Sequence, residues 1–255
     1  MSDQTDRKHG IDEWDQRVKL AAAYRIFDYL GWASLIFNHI TIRIPGEGHN
    51  FLINPFGLRY DEVTASNLVK VDSAGKNVKD SNYEEWDINE AGFTIHSAIH
   101  NHVKDAICIM HTHTSAGLAV ACKKNGLSNT NIYSSMIFDR VSYHDFEGVT
   151  LRGDESERLV ESMGSNPLLI LRNHGLLVIG RTIEEAFVRL WTLQMACETQ
   201  VLTESMAGPD IEVTRDATEY NIKEVRLFDQ TPRYTDKSFD ALVRIIDSKD
   251  PSYKN

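Results

Sequence analysis

The stretch "PLLILRNHGLLVIG", residues 167–180, constrains the fold more than any other part of the chain. Two apolar runs are separated only by a few polar residues, so they read as two strands joined by a tight turn at Asn173-His174-Gly175. A second run, "DAICIMHTH" at 105–113, reads as a buried strand ending in His111 and His113. Neither run approaches the roughly 18 apolar residues of a membrane-spanning helix.

Around these strands the periodicity alternates between two kinds. Residues 12–30 carry apolar side chains at helical spacing (Val18, Ala21, Ala22, Ile26, Tyr29), with Arg25 the exception and Gly31 as the C-terminal cap. In "ITIRIP", Ile40, Ile42 and Ile44 alternate with Thr41 and Arg43, the pattern of a half-buried strand. "NFLIN" and "SNLVKVD" read as further short strands, separated by turn-rich segments. A helix is expected over about 91–102, where Phe93, Ser97 and Ile99–His100 share one face. A longer one begins at a capping box, Thr182 with Glu185, and runs to Gly208-Pro209. Beyond 209 the chain is more polar, with one amphipathic piece around "SFDALVRIID". Strands and helices intermingle without strict βαβ alternation, which favours an α/β sandwich on a mixed sheet over a doubly wound fold. The expected organisation is a flexible N-terminus (1–12), one domain (13–208) and a C-terminal extension (209–255) packing on that domain or on a neighbouring subunit.

Charge and cysteine usage narrow the function. The net charge is −10 over 255 residues, and no Lys/Arg block exceeds a pair such as Lys123-Lys124. Nucleic acid and anionic membrane surfaces are therefore unexpected partners. The polar start "MSDQTDRKHG" lacks the apolar core of a signal peptide. Cys108, Cys122 and Cys197 are odd in number and widely spaced, which points to a reducing, cytoplasmic setting. Cys108 is expected to be buried and inert.

His111 and His113 stand two apart, so on a strand both side chains share a face with Cα atoms roughly 6.6 Å apart, within reach of one ion. The alternative is a pair of partly buried histidines bonded to backbone carbonyls. His174, at the strand–strand turn, is the best third ligand; otherwise it is a turn residue beside a glycine that permits φ > 0. His96 and His100 lie four apart on one helix face, a spacing that serves a metal pair, packing or a surface. His9 belongs to the N-terminal end and His49 to a loop.

The ordered series "FNHITIR", "INPFG", "AGFTIHSAIH", "HTHTSAG" and "LRNHGL" resembles the class II aldolase/adducin family over about 15–206. "YHDFEG", "LRNHG" and "ACETQV" are more similar to the adducin head domain and its bacterial relatives than to the sugar-phosphate aldolases. The resemblance implies a three-layer αβα sandwich with a central mixed or antiparallel sheet, assembled as a homotetramer with sites between subunits. It also implies a divalent metal, most often zinc with manganese or iron as alternatives, on His111, His113 and His174. Such an ion acts as a Lewis acid on a carbonyl and supports enediolate formation.

This chain departs from the family's enzymes at several positions. The proton-transfer Glu of the aldolases corresponds to Gly92, which has no side chain to exchange a proton. Glu90, two residues earlier, is the substitute to consider, or else a solvated carboxylate at a helix N-terminus. In the phosphate site, Phe56 stands for a threonine, Gly57 is retained, and Glu90-Ala91 replace two serines; a carboxylate there repels phosphate. Asn38 matches a family residue lining the substrate site, while Phe37 replaces the glycine before it. Tyr133 falls near a tyrosine that aldolases use from a neighbouring subunit, and is otherwise a core or interface aromatic. Two functions follow from the resemblance. One is a metal-dependent lyase acting on a small, non-phosphorylated hydroxy-carbonyl or carboxylate compound. The other is an inactive oligomeric scaffold like the adducin head. Binding to actin or spectrin is not expected, because the chain lacks adducin's long basic-ended tail. A third reading, histidines serving packing alone, leaves a ligand-binding domain without metal.

Overall fold

The computed structural model of the protein describes residues 11–44, 46, 49–78, 87–148, 155–229 and 232–255. His9 and most of the N-terminal segment expected to be flexible lie outside the described residues. Among the described residues seven strands form one sheet: β1 His39–Arg43, β2 Phe51–Ile53, β3 Val69–Val71, β4 Cys108–Thr112, β5 Val141–His144, β6 Leu168–Leu171 and β7 Gly175–Gly180. Their spatial order is β3-β2-β1-β4-β7-β6-β5, with every pairing antiparallel except β5 with β6. The helices are α1 Ile11–Tyr29, α2 Glu90–His102, α3 Ser115–Ala121, α4 Ile132–Ile137, α5 Glu155–Met163, α6 Ile183–Ser205, α7 Arg215–Asp229 and α8 Pro232–Lys249.

Strand alternation sends the apolar side chains to opposite faces of the sheet. Ile40, Ile42, Cys108, Met110, Leu176 and Val178 face α1, α6 and α8, in a core that includes Leu20, Phe27, Phe187 and Phe239. Ile109, Leu169, Leu171, Leu177 and Ile179 face the other way, onto Ile95 and Ile99 of α2 and Leu159 and Met163 of α5. Helices on both faces of the sheet give three layers, as expected for an α/β sandwich.

Several local expectations hold with altered detail. Gly31 ends α1 at φ +74°, and Trp32 N–H returns to the Phe27 carbonyl at 2.8 Å, a Schellman-type cap. Thr182 caps α6 by accepting from Glu185 N–H at 3.1 Å, but the Glu185 carboxylate reaches past the cap to Arg181 N–H at 2.6 Å. That helix stops at Ser205, short of Gly208. β1 is not half-buried: His39 and Thr41, on the face opposite Ile40 and Ile42, are covered by α2. In the β6–β7 turn the left-handed residue is Asn173, at φ +58°, and not Gly175. Gly175 is needed for a different reason: a Cβ there would stand 2.3 Å from the Thr112 carbonyl oxygen, so a side chain would push β7 off β4.

The tail forms two helices. α8 packs on α6 and α1, with Phe239 edge-on to Phe187 at 5.6 Å. The turn after it, Pro251–Lys254, buries Tyr253 and lends the Tyr253 and Asn255 carbonyls to Ala65 and Ser66 N–H.

Candidate metal centre

β4 and the β6–β7 turn bring three imidazoles together. β4 pairs with β7 so that His111 lies opposite Leu177, and His111 Nδ1 meets the Leu176 carbonyl at 2.8 Å. A carbonyl only accepts, so Nδ1 carries the hydrogen and Nε2 keeps its lone pair. That Nε2 is 2.7 Å from His113 Nε2. Ring centroids of His174 lie 4.8 Å from His111 and 4.9 Å from His113. One nitrogen from each of the three falls within 4.8 Å of the other two. His111 binds a backbone carbonyl through one nitrogen and faces His113 through the other.

The donor set suits a divalent ion. Two nitrogens bound to one ion at about 2.1 Å and roughly 90–110° stand about 3.0–3.4 Å apart, so the His111–His113 pair has to open slightly. The hydrogen between those two nitrogens belongs to His113 and must shift to its other nitrogen when an ion binds. Burial lowers all three imidazoles below their ordinary range, and neighbouring histidines further disfavour the cationic form of His111 and His174; His174 falls to about 4. Neutral rings with free lone pairs are the form that ligates metal. Phe146, exposed, sits 6.4 Å edge-on to His174 and gives the site an apolar neighbour.

The other expected site residues are placed as follows. Asn38 is buried, and its side chain is used internally: Oδ1 accepts from His113 N–H at 3.0 Å and the amide donates to the Trp32 carbonyl. It therefore fixes the backbone of a ligand histidine and does not present a free amide. Gly57 takes φ +106° in an exposed turn beside Phe56, whose side chain points to solvent. Glu90 is exposed at the first turn of α2 and borders a cleft with Gly75, Lys76 and Phe93, so it is not brought among the histidines. Tyr133 packs edge-on to Trp191 at 5.5 Å, as a core-edge aromatic. His49 is exposed. Cys108 is fully buried with its thiol pushed well above the ordinary value by burial.

One group escaped the sequence reading. His39 Nδ1 is 2.9 Å from His96 Nε2; His96 Nδ1 is 2.7 Å from Thr41 Oγ1; Thr41 Oγ1 is 2.7 Å from His100 Nε2; and His100 Nδ1 is 2.7 Å from the Ala106 carbonyl. His96 and His100 are thus neither surface residues nor a metal pair. They continue a buried hydrogen-bonded chain from β1, and the His39 ring reaches within 4.9 Å of His111. Its far edge fills the space at Gly92, where a Cβ would lie 2.2 Å from His39 Cδ2 and 2.3 Å from Nε2. The available signal was "NHIT" set against "HSAIH": polar residues two apart on a strand facing polar residues four apart on a helix.

Residues 18–201 match the family described as the class II aldolase and adducin N-terminal domain. A Pseudomonas aeruginosa protein named as an aldolase class 2 protein is 43% identical over 244 residues, 95% of this chain and 93% of that one. Alpha-adducin of Rattus norvegicus is 42% identical over 243 residues, 91% of this chain but 33% of the adducin. Among solved structures, an aldolase II superfamily protein from Pseudomonas syringae superposes with a TM-score of 0.91 at 40% identity, covering 96% of each chain. An L-fuculose 1-phosphate aldolase from Glaciozyma antarctica superposes with a TM-score of 0.83 at 28% identity, over 97% of this chain and 94% of that one. The chain belongs to the class II aldolase and adducin family.

Proposed function

We propose that the chain is a metal-dependent lyase acting on a small, non-phosphorylated hydroxy-carbonyl or carboxylate compound. The observation that carries this reading is the convergence of His111, His113 and His174, with the His111 lone pair aimed inward by the Leu176 carbonyl. Zinc is the first choice of ion, and manganese or iron fit the same imidazoles. Such an ion supplies Lewis-acid polarisation of a carbonyl, which lets the substrate carry enediolate charge. Around it, His111 is held by Leu176, His113 by the Asn38 amide, and His174 by its own backbone N–H to the Leu171 carbonyl at 3.0 Å. Exposed Phe56 and Glu90, at positions where the resembling enzymes hold phosphate, argue for a substrate without a phosphate group.

The test is metal analysis of protein purified without chelators. We expect one ion per chain, lost in His174→Ala, and turnover that disappears with it. A wild-type site that stays empty after incubation with Zn²⁺ and Mn²⁺ would overturn the reading.

The similarity to alpha-adducin over 91% of this chain favours a second reading, an oligomeric scaffold without catalysis. It predicts a stable homo-oligomer that keeps its assembly and its partners when His174 is replaced by Ala. Co-sedimentation with actin filaments checks the cytoskeletal version, and we expect none.

A further inference from the structure

We propose that His39 is the proton acceptor of this site, doing from β1 what a carboxylate at position 92 cannot do from α2. This rests on the metal-centre reading above. The direction of every hydrogen bond behind His39 follows from one fixed point. The Ala106 carbonyl can only accept, so His100 Nδ1 donates to it and His100 Nε2 is an acceptor. Thr41 must then give its hydroxyl hydrogen to His100, which leaves its oxygen to accept from His96 Nδ1. His96 Nε2 is consequently an acceptor and takes the hydrogen of His39 Nδ1. The chain ends with a neutral His39 whose Nε2 carries a lone pair.

That lone pair is placed where it can be used. Nε2 makes no hydrogen bond to any described residue, and His39 as a whole is 3% exposed. The His39 ring leans on His111, a ligand of the proposed ion, and its Nε2 edge occupies the root of the side chain that Gly92 lacks. Strand β1 aligns His39 directly opposite His111 on β4, so the acceptor and the metal centre are set by one strand pairing. A substrate whose carbonyl lies on the ion would present its neighbouring C–H to this nitrogen. The C–H bond breaks, its hydrogen becomes Nε2–H, and its electron pair moves into the C–C bond while the carbonyl oxygen takes the charge. His39 then holds two N–H groups, the second still bonded to His96. Return of the hydrogen restores the starting state, so no co-reactant is consumed. His39 would be the catalytic residue, and His96, Thr41 and His100 would position it.

Two measurements test this on the full zinc-loaded chain. In ¹⁵N-histidine NMR we expect His39 to carry its hydrogen on Nδ1 with Nε2 bare; a hydrogen on Nε2 overturns the proposal whatever the activity. In D₂O, dihydroxyacetone serves as the probe, and loss of its C–H signal reports proton abstraction. We expect exchange by the wild type and a rate about 100-fold lower in His39→Gln at unchanged zinc content. Thr41→Val should slow exchange about tenfold and mix the His39 tautomers, which a merely structural role for Thr41 would not do. Exchange that survives His39→Gln but vanishes in His174→Ala refutes His39 and leaves the metal centre standing. Absence of exchange in the zinc-loaded wild type overturns both this proposal and the hydroxy-carbonyl reading.

Discussion

Gly92 and His39 are one decision made at two positions. The ring of one fills the volume where the other's Cβ would sit, at 2.2–2.3 Å. Gly92→Ala should therefore destabilise the fold by about 2 kcal/mol, the usual scale of overpacking, read as a lower urea midpoint. In a His39→Ala background most of that penalty should disappear, giving a coupling free energy of at least about 1 kcal/mol in the double-mutant cycle. Additive effects would mean that the two residues do not compete for space. Asn38→Ala should weaken metal binding about tenfold and not abolish it, because it removes support for the His113 backbone and no ligand, as competition with a chromogenic chelator would show. At this scale spacing and turn position single out the three histidines as candidates, and only the family resemblance joins them into one set. His39 was not legible, because its meaning lies in the helix laid across it, and a single polar residue before "ITIR" carries no period of its own. Asn38 was seen as a site residue, but not that its amide is spent on His113 and Trp32.

α2 shows how an element positions chemistry that its own sequence only hints at. Asn89 caps it by accepting from Gly92 N–H at 3.1 Å, so the cap and the glycine that admits His39 are joined by one hydrogen bond. Asn89→Ala should cost about 1 kcal/mol of stability, whereas Glu90→Ala, at an exposed position, should stay within about 0.5 kcal/mol; denaturant titration separates them. Helical spacing made α2 readable from the sequence to within one residue. The short helices α3 and α4, the strand β5, and α5 and α7 were not read. β5 and α3 are too short for a period to emerge, and α7 carries mostly polar residues whose order comes from packing on α4. α8 was visible only in its amphipathic centre, "SFDALVRIID", although Phe239 and Ile246 enter the main core.

The whole molecule carries an unusual load of buried neutral histidine. Burial holds His39, His96 and His111 well below the ordinary imidazole range, and takes His100 to about 3 and His174 to about 4. The unfolded chain binds protons on these groups near pH 6.5 and the folded chain does not, so stability is full above that pH and declines as pH falls toward the folded values. Each such histidine withdraws up to about 1.4 kcal/mol for every pH unit below 6.5. The metal-free protein should thus lose most of its stability between pH 6.5 and 4.5, and His100→Asn should flatten that slope by about one proton. A flat stability profile over this interval would show that the rings are charged in the native state. No helix among the described residues is long and apolar enough to cross a membrane.

The β4–β7 pairing also sets when the centre can exist during folding. His111 and the carbonyl that orients it are 65 positions apart in the chain, and they meet only when the middle of the sheet closes. Closing a loop of that length is an entropic toll met before any ligand set is assembled. An ion therefore has nothing to hold in the early chain, and its binding energy accrues once the middle of the sheet has closed. In a chevron experiment saturating metal should lower the unfolding limb and leave the folding limb where it was. Metal would then act as a latch on the finished protein, lengthening its lifetime without hastening its birth.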